Sequence, residues 1–298
     1  MTKRKLKTEN EPRVRGITAG EPQVDEEEVY RRAVIEWHKT ERLHQRQTAQ
    51  KIQFKQSPIA LSFVGDLHLG SSGTDYERAF REAKVIANTP RMYAILCGDL
   101  LDNFIVPKLM AARMNSSIGI QEEWSLVKKY LRVIAPKLLV SVRGNHEAWT
   151  WTLGGVDYFA DVLAQIAPSA LYDSYDALVD IVVGDWHYPL RARHHWRSCS
   201  QYNVTHGIEQ VARFDGNFLI GVGAHTHAAG VIRGFNARGQ NGVAILCGSY
   251  KVIDAYAREK GFPRHNACAA MTLILFSDGT KIACEDVVRA AAMMKGVR

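Results

Sequence analysis

Short apolar runs alternate with longer amphipathic stretches along most of this chain. Four of the runs, at residues 59–64, 92–97, 138–142 and 218–222, span five or six residues and stop at polar turn residues. Runs of that length are too short for buried helices and read as strands covered on both faces. After the first run, Thr74 with Glu77 three residues on forms a capping box for a helix to about residue 88. Residues 107–135 read as mainly helical with a break near 116–119, and 157–166 as another helix. Residues 177–183 and 186–193 read as two strands joined at Gly184-Asp185, a hairpin signal. A helix over 205–213 precedes the fourth apolar run, and strands follow near 229–234, 243–248 and 271–276. Ser277-Asp278-Gly279-Thr280 is a turn before a last strand and helix. Strands interleaved with helices predict an α/β fold in which two sheets pack together with helices outside.

The first 55 residues have a different pattern. Residues 1–24 carry Pro12, Pro22, Gly16 and Gly20 with few large apolar side chains, and read as disordered or loosely attached. A helix begins at Asp25, an N-cap with Glu28 three residues on, and can run to about Phe54 because no Pro or Gly interrupts it. Val29, Tyr30, Ala33, Val34 and Trp37 form a partial apolar stripe suited to pack on the rest of the chain or on a partner subunit. The expected division is therefore an extension over 1–55 and one large domain over 56–298.

Composition changes this picture little. The hydrophobic share is 46%, ordinary for a globular chain. No run approaches the ~18 apolar residues of a membrane helix, and the basic start has no apolar segment behind it, so no membrane partner is expected. The five cysteines, 97, 199, 247, 268 and 284, are odd in number and widely spaced. That usage suits free thiols in a reducing, cytoplasmic setting. The formal charge is +7, and residues 1–55 hold 13 Lys/Arg against 9 Asp/Glu. A basic end of this kind suits an arm for nucleic acid, or a solvated tail.

The chemistry lies where the apolar runs stop. The first ends in Gly65-Asp66-Leu67-His68, the second in Gly98-Asp99-Leu100-Leu101-Asp102, the third in Arg143-Gly144-Asn145-His146-Glu147, and the fourth in Gly223-Ala224-His225-Thr226-His227. Carboxylate, carboxamide and imidazole are ligand types for a divalent transition metal. Four strand ends delivering them together is the pattern of a site at the strand carboxyl ends of an α/β sheet.

In this order, D-x-H, G-D-x-x-D, G-N-H-E and G/A-H-x-H, the motifs resemble the calcineurin-like metallophosphoesterase superfamily, and Tyr202-Asn203-Val204-Thr205-His206-Gly207 more weakly resembles a motif of its phage- and prophage-encoded members. The likeness runs from about residue 59 to 249, with Ala224 in place of a usual Gly. It implies a four-layer αββα sandwich of two mixed sheets. It also implies two divalent metals, manganese first, with iron, zinc or nickel as alternatives. Asp66, His68 and His227 would hold one metal, Asn145, His225 and a further histidine the other, and Asp99 would bridge them. The further histidine is His194, which ends the 186–193 strand, or else His206, His187 or His195. Asp102 would orient a ligand from behind. His146 is the candidate general acid, Glu147 would orient it, and Arg143 would clamp a phosphate oxygen or be a surface charge. The chemistry expected is attack on phosphorus by water activated between the metals.

Protein phosphatases of this superfamily carry Arg directly after the second Asp of G-D-x-x-D, where this chain has Asn103. The basic end and an aromatic-rich loop with Trp149, Trp151 and Tyr158 suit nucleic-acid bases. The expected activity is thus a phosphodiesterase on nucleic acid or nucleotides. The alternatives are a small-molecule phosphomonoesterase or dinucleotide hydrolase, and a metal-binding protein without turnover.

Overall fold

A computed structural model describes residues 24–45, 50–113, 116–200, 202–252 and 269–296. The loose segment expected over 1–24 and Cys268 lie outside the described residues, apart from Val24. The chain divides into two units, Met1–Thr48 and Ala49–Arg298. The first contains helix α1 (Glu26–Gln45), and Asp25 caps it as expected, its Oδ1 accepting from the amides of Glu27 and Glu28 at 3.1 Å. The expected continuation to Phe54 does not occur: Gln50–Phe54 is a strand, β1, of the second unit.

The second unit holds β2 (Ile59–Val64), β3 (Met92–Leu96), β4 (Leu138–Val142), β5 (Leu171–Asp173), β6 (Ala177–Val183) and β7 (Trp186–Ala192). Then come β8 (Ile220–Gly223), β9 (Val231–Ala237), β10 (Gln240–Leu246), β11 (Met271–Leu275) and β12 (Lys281–Cys284). Its helices are α2 (Tyr76–Asn88), α3 (Met110–Arg113), α4 (Ile120–Ile134) and α5 (Asn145–Gly154), followed by α6 (Tyr158–Ile166), α7 (His206–Asp215) and α8 (Val287–Gly296). The cap of α2 is Asp75, one residue after the expected Thr74, and accepts from the Arg78 amide.

The strands form two mixed six-stranded sheets, ordered β12-β11-β2-β3-β4-β5 and β1-β6-β7-β8-β10-β9. Strand alternation explains the stacking. In β2, Ala60 and Val64 face the helices with Ile86, Val127, Leu131 and Val287. Ile59, Leu61 and Phe63, on the other face, meet Ile181, Leu190, Val222 and Ile245 of the second sheet. Each such Val, Leu, Ile or Phe side chain, fully buried, contributes roughly 1.5–3 kcal/mol. The outer face of the second sheet is covered by α7 and Trp196, through Ile208, Ala212 and Phe218. The layers are helices, sheet, sheet, helix: the expected αββα sandwich.

Topology then collects the chemistry. β2, β3 and β4 are mutually parallel, and so are β7, β8 and β10. Six carboxyl ends are therefore shared between the two sheets, and every candidate ligand follows one of them.

Candidate metal centre

The loops after these strands are tight and strained. Among the described residues, nine non-glycine residues have positive φ, and six of them are Asp66, His68, Asp99, Asn103, His225 and His227. Left-handed backbone costs such residues about 1–3 kcal/mol each and persists only where the surroundings enforce it. The strain turns alternate side chains inward after the strand has ended; β2 stops at Val64, so Asp66 and His68 converge by this curl and not by strand pleat. Glycine is required where loops touch. A Cβ on Gly98 would strike the Gly144 backbone, and one on Gly144 would strike Asp99 Oδ1. Ala224 is accommodated from the other side: it is buried, and its Cβ lies where a side chain on Gly65 would be, at 2.7 Å.

Among the described residues ligand atoms converge in three groups; one is His68, Asp102 and His146, and the other two share no residue with each other. Asp66, His68 and His227 form one of those two. His68 Nε2 lies 2.8 Å from His227 Nε2, and His227 Nε2 is 4.0 Å from Asp66 Oδ1. Asp99, His194 and His225 form the other, with Asn145 beside them. His194 Nε2 has three neighbours at 3.1 Å: Asn145 Oδ1, His225 Nδ1 and Asp99 Oδ2. One ring nitrogen can serve only one of those acceptors with a proton. His146 stands next to both sets, its Nε2 3.6 Å from Asp99 Oδ2.

The other ring nitrogens are fixed from behind. His68 Nδ1 donates to Asp102 Oδ1 at 2.8 Å, and His194 Nδ1 donates to the Cys97 carbonyl at 2.7 Å. Such outer partners set tautomers and leave Nε2 lone pairs facing inward. His146 Nδ1 donates to the Asp102 carbonyl at 2.5 Å. Trp149 covers its ring at 4.2 Å between centroids.

The electrostatics fit a cation. Burial, with Asp99 adding, pushes Asp66 up to about 7, and its Oδ1 is buried without a hydrogen-bond partner. Burial opposes the charge on Asp99 too, but His146 and His194 hold it well below the usual carboxylate range. His194 is raised to about 10, since Asp99 and Asp66 outweigh burial. Burial and His194 lower His225 to about 4, and burial and His68 lower His227 well below its usual value. His225 and His227, held neutral beside the ionised Asp99, are in the state that binds metal, and the protons that His194 and Asp66 retain would leave as a cation arrives. The residues present therefore fit divalent ions.

Several sequence expectations need correction. Arg143 is neither a surface charge nor free to clamp phosphate: it is buried and paired with Asp157 at 2.7 Å. Glu147 does not orient the His146 ring. It is buried and accepts from the amides of Gly144 (2.9 Å), Asp99 (3.1 Å) and Leu100 (2.6 Å), which ties the β3 and β4 loops together. Trp149 and Trp151 lie on α5, and Tyr158 on α6, rather than in a loop. Of the alternative histidines, His187 pairs with Asp180 at 2.6 Å at the exposed start of β7. His206 is exposed at the start of α7. His195 lies against His225 with 4.6 Å between ring centroids. His194, at the end of β7, is the one among them that meets Asn145 and His225. One residue was missed: Lys251, beyond β10, whose Nζ lies 3.1 and 3.3 Å from the two Asp102 oxygens. Its place after a strand running parallel to β8 was the available signal.

Among the described residues no helix is long and apolar enough to cross a membrane. No curated protein matches the chain. Among solved structures, Vps29 of Chaetomium thermophilum is similar over 76% of this chain and 93% of its own, at 12% identity and a TM-score of 0.35. The calcineurin-like phosphoesterase YfkN of Bacillus subtilis is similar over 80% and 97%, at 12% identity and 0.30. A putative diadenosine tetraphosphatase is similar over 79% and 97%, at 16% identity and 0.31. The calcineurin-like phosphoesterase family matches residues 61–229, more than half of the 298, and the chain belongs to that family of metal-dependent phosphoester hydrolases.

Proposed function

We propose that this chain is a phosphodiesterase acting on nucleic acid or nucleotides through two divalent transition-metal ions, manganese first among them. One ion is assigned to Asp66, His68 and His227, the other to Asn145, His194 and His225, with Asp99 shared. The observation that carries the assignment is the His194 Nε2 atom, with Asn145 Oδ1, His225 Nδ1 and Asp99 Oδ2 all at 3.1 Å. Bound there, such cations make water acidic enough to ionise near neutral pH and offset the charge of a phosphate.

The chain's own groups do the rest. Asp102 and the Cys97 carbonyl keep the Nε2 atoms of His68 and His194 aimed inward. His146 is the general acid for the leaving oxygen, acting through Nε2 because Nδ1 is committed to the Asp102 carbonyl. Burial lowers its pKa to about 4, so Nε2 takes up its proton from water only when an arriving phosphate anion raises that value. Trp149 holds the ring in place.

The preference for diesters rests on Asn103. Its carboxamide donates to the His146 carbonyl at 2.6 Å and to Thr150 Oγ1 at 3.0 Å, and it is buried. The position that bears a phosphate-gripping Arg in protein phosphatases is here spent on holding α5. With manganese, bis-para-nitrophenyl phosphate should be hydrolysed at least about tenfold more efficiently than the monoester. A monoester preference would overturn the reading. Deleting residues 1–24 should leave that rate unchanged. It should also flatten the salt dependence of nucleic-acid binding by roughly 0.7–0.9 per lost phosphate contact.

A further inference from the structure

We infer that His195 is a substrate-contacting residue at the open rim of the site, giving an N–H to a phosphate oxygen. The inference rests on the metal assignment proposed above.

Its position is set by the residues on either side. His194 and Trp196 are both buried, at 5% and 1% exposure, and His195 between them is exposed. The segment is pinned to β8 and its loop. The Arg193 amide donates to the Val222 carbonyl at 3.0 Å, and the Ala224 amide to the His194 carbonyl at 2.9 Å. Trp196 Nε1 donates to the Val222 carbonyl at 2.7 Å, and the Arg193 guanidinium lies over the indole at 4.9 Å. An exposed side chain between two such anchors gives up little freedom when it binds.

Its ring is tilted 55° against His225, with 4.6 Å between centroids, and His225 is the exposed member of the second ligand set. The other imidazoles of the site are engaged: His68 with Asp102, His146 with the Asp102 carbonyl, His194 with the Cys97 carbonyl, and His227 with His68. His225 faces His194 through Nδ1. Among the described residues, the His195 ring has its neighbour His225 and no hydrogen bond or ion pair. It lies outside both sets of convergent ligand atoms. A held, uncommitted N–H beside a cation site matches a non-bridging phosphate oxygen, for which a donor adjacent to the metals adds to binding.

The test uses the manganese-loaded full chain, His195→Ala and His195→Gln. Metal content is read by elemental analysis, affinity for inorganic phosphate by calorimetry, and KM and kcat on bis-para-nitrophenyl phosphate. His195→Ala should keep its metal and raise both the phosphate Kd and KM by about tenfold, the loss of one charge-assisted hydrogen bond. kcat should stay within about threefold. His195→Gln, which keeps an N–H, should recover most of the affinity. A phosphate Kd within about twofold of wild type overturns the inference, as does loss of metal, which would make His195 a ligand. If the wild-type protein carries metal and binds phosphate but hydrolyses no diester, the proposed activity falls and the phosphate Kd alone decides His195.

Discussion

The two ligand sets of this site are supported in different ways. Behind His68 stands charge: Asp102, held down to about 2 by His68 and Lys251 against the effect of burial, and then Lys251 itself, whose side chain is 10% exposed. Behind His194 stands a neutral backbone carbonyl, that of Cys97, and its companion Asn145 is a neutral carboxamide. A carboxylate behind an imidazole makes it a more basic ligand. The first set should therefore hold its ion more tightly. The second set opens to solvent at His225 and should exchange its ion and meet substrate more readily.

Asp99→Asn should have the largest effect, because this carboxylate is assigned to both sets. Metal content should fall for both ions and turnover by more than about a thousandfold. Retention of one full equivalent in elemental analysis would show that Asp99 belongs to the His194 set alone. His146→Ala comes next: kcat should drop by about 10²–10⁴-fold with both ions kept. Loss of metal alongside activity would make His146 a ligand, as its place near His68 and Asp102 would allow. Asp102→Asn should weaken one ion only, by about 10–100-fold, and leave the other unchanged in a chelator titration. Equal weakening of both would erase the contrast between charged and neutral support.

How much of this was legible in sequence depended on whether a residue's partner was local. β2, β3 and β4 show as apolar runs because both their faces are covered, and the ligand types at their ends stand in short motifs. His194 follows from the strand pattern of β7. β1 was hidden: Gln50-Lys51-Ile52-Gln53-Phe54 is a half-exposed edge strand, polar enough to continue a helical pattern. The helix α5 was hidden by its own motif. Glu147 at its third position is a helix-start signal, but beside Asn145 and His146 it reads as catalytic. Lys251 and Asp102 are 149 residues apart, and Arg143 finds Asp157 only when α6 packs. No local period encodes such pairs.

The charged support of the first set extends one layer further, and there the expected effect is smallest. Glu123 on α4 is buried, accepts from the Asn103 amide at 2.8 Å, and lies 3.8 Å from Arg113. Burial, with the Asp102 charge adding, raises its pKa to about 7. A carboxyl whose folded pKa lies above its unfolded value binds its proton more tightly when folded. Its contribution to stability is complete below the unfolded value near 4.5 and is lost as pH rises through about 7. Glu123→Gln keeps an acceptor for Asn103 and has no proton to lose. Relative to wild type it should therefore gain about 2 kcal/mol between pH 5 and pH 8. Urea unfolding of both proteins at the two pH values measures the difference. If the two curves shift in parallel, Glu123 is ionised throughout, held by Arg113 and the Asn103 amide. The charged layer behind His68 would then be one carboxylate deeper than the contrast between the two sets assumes.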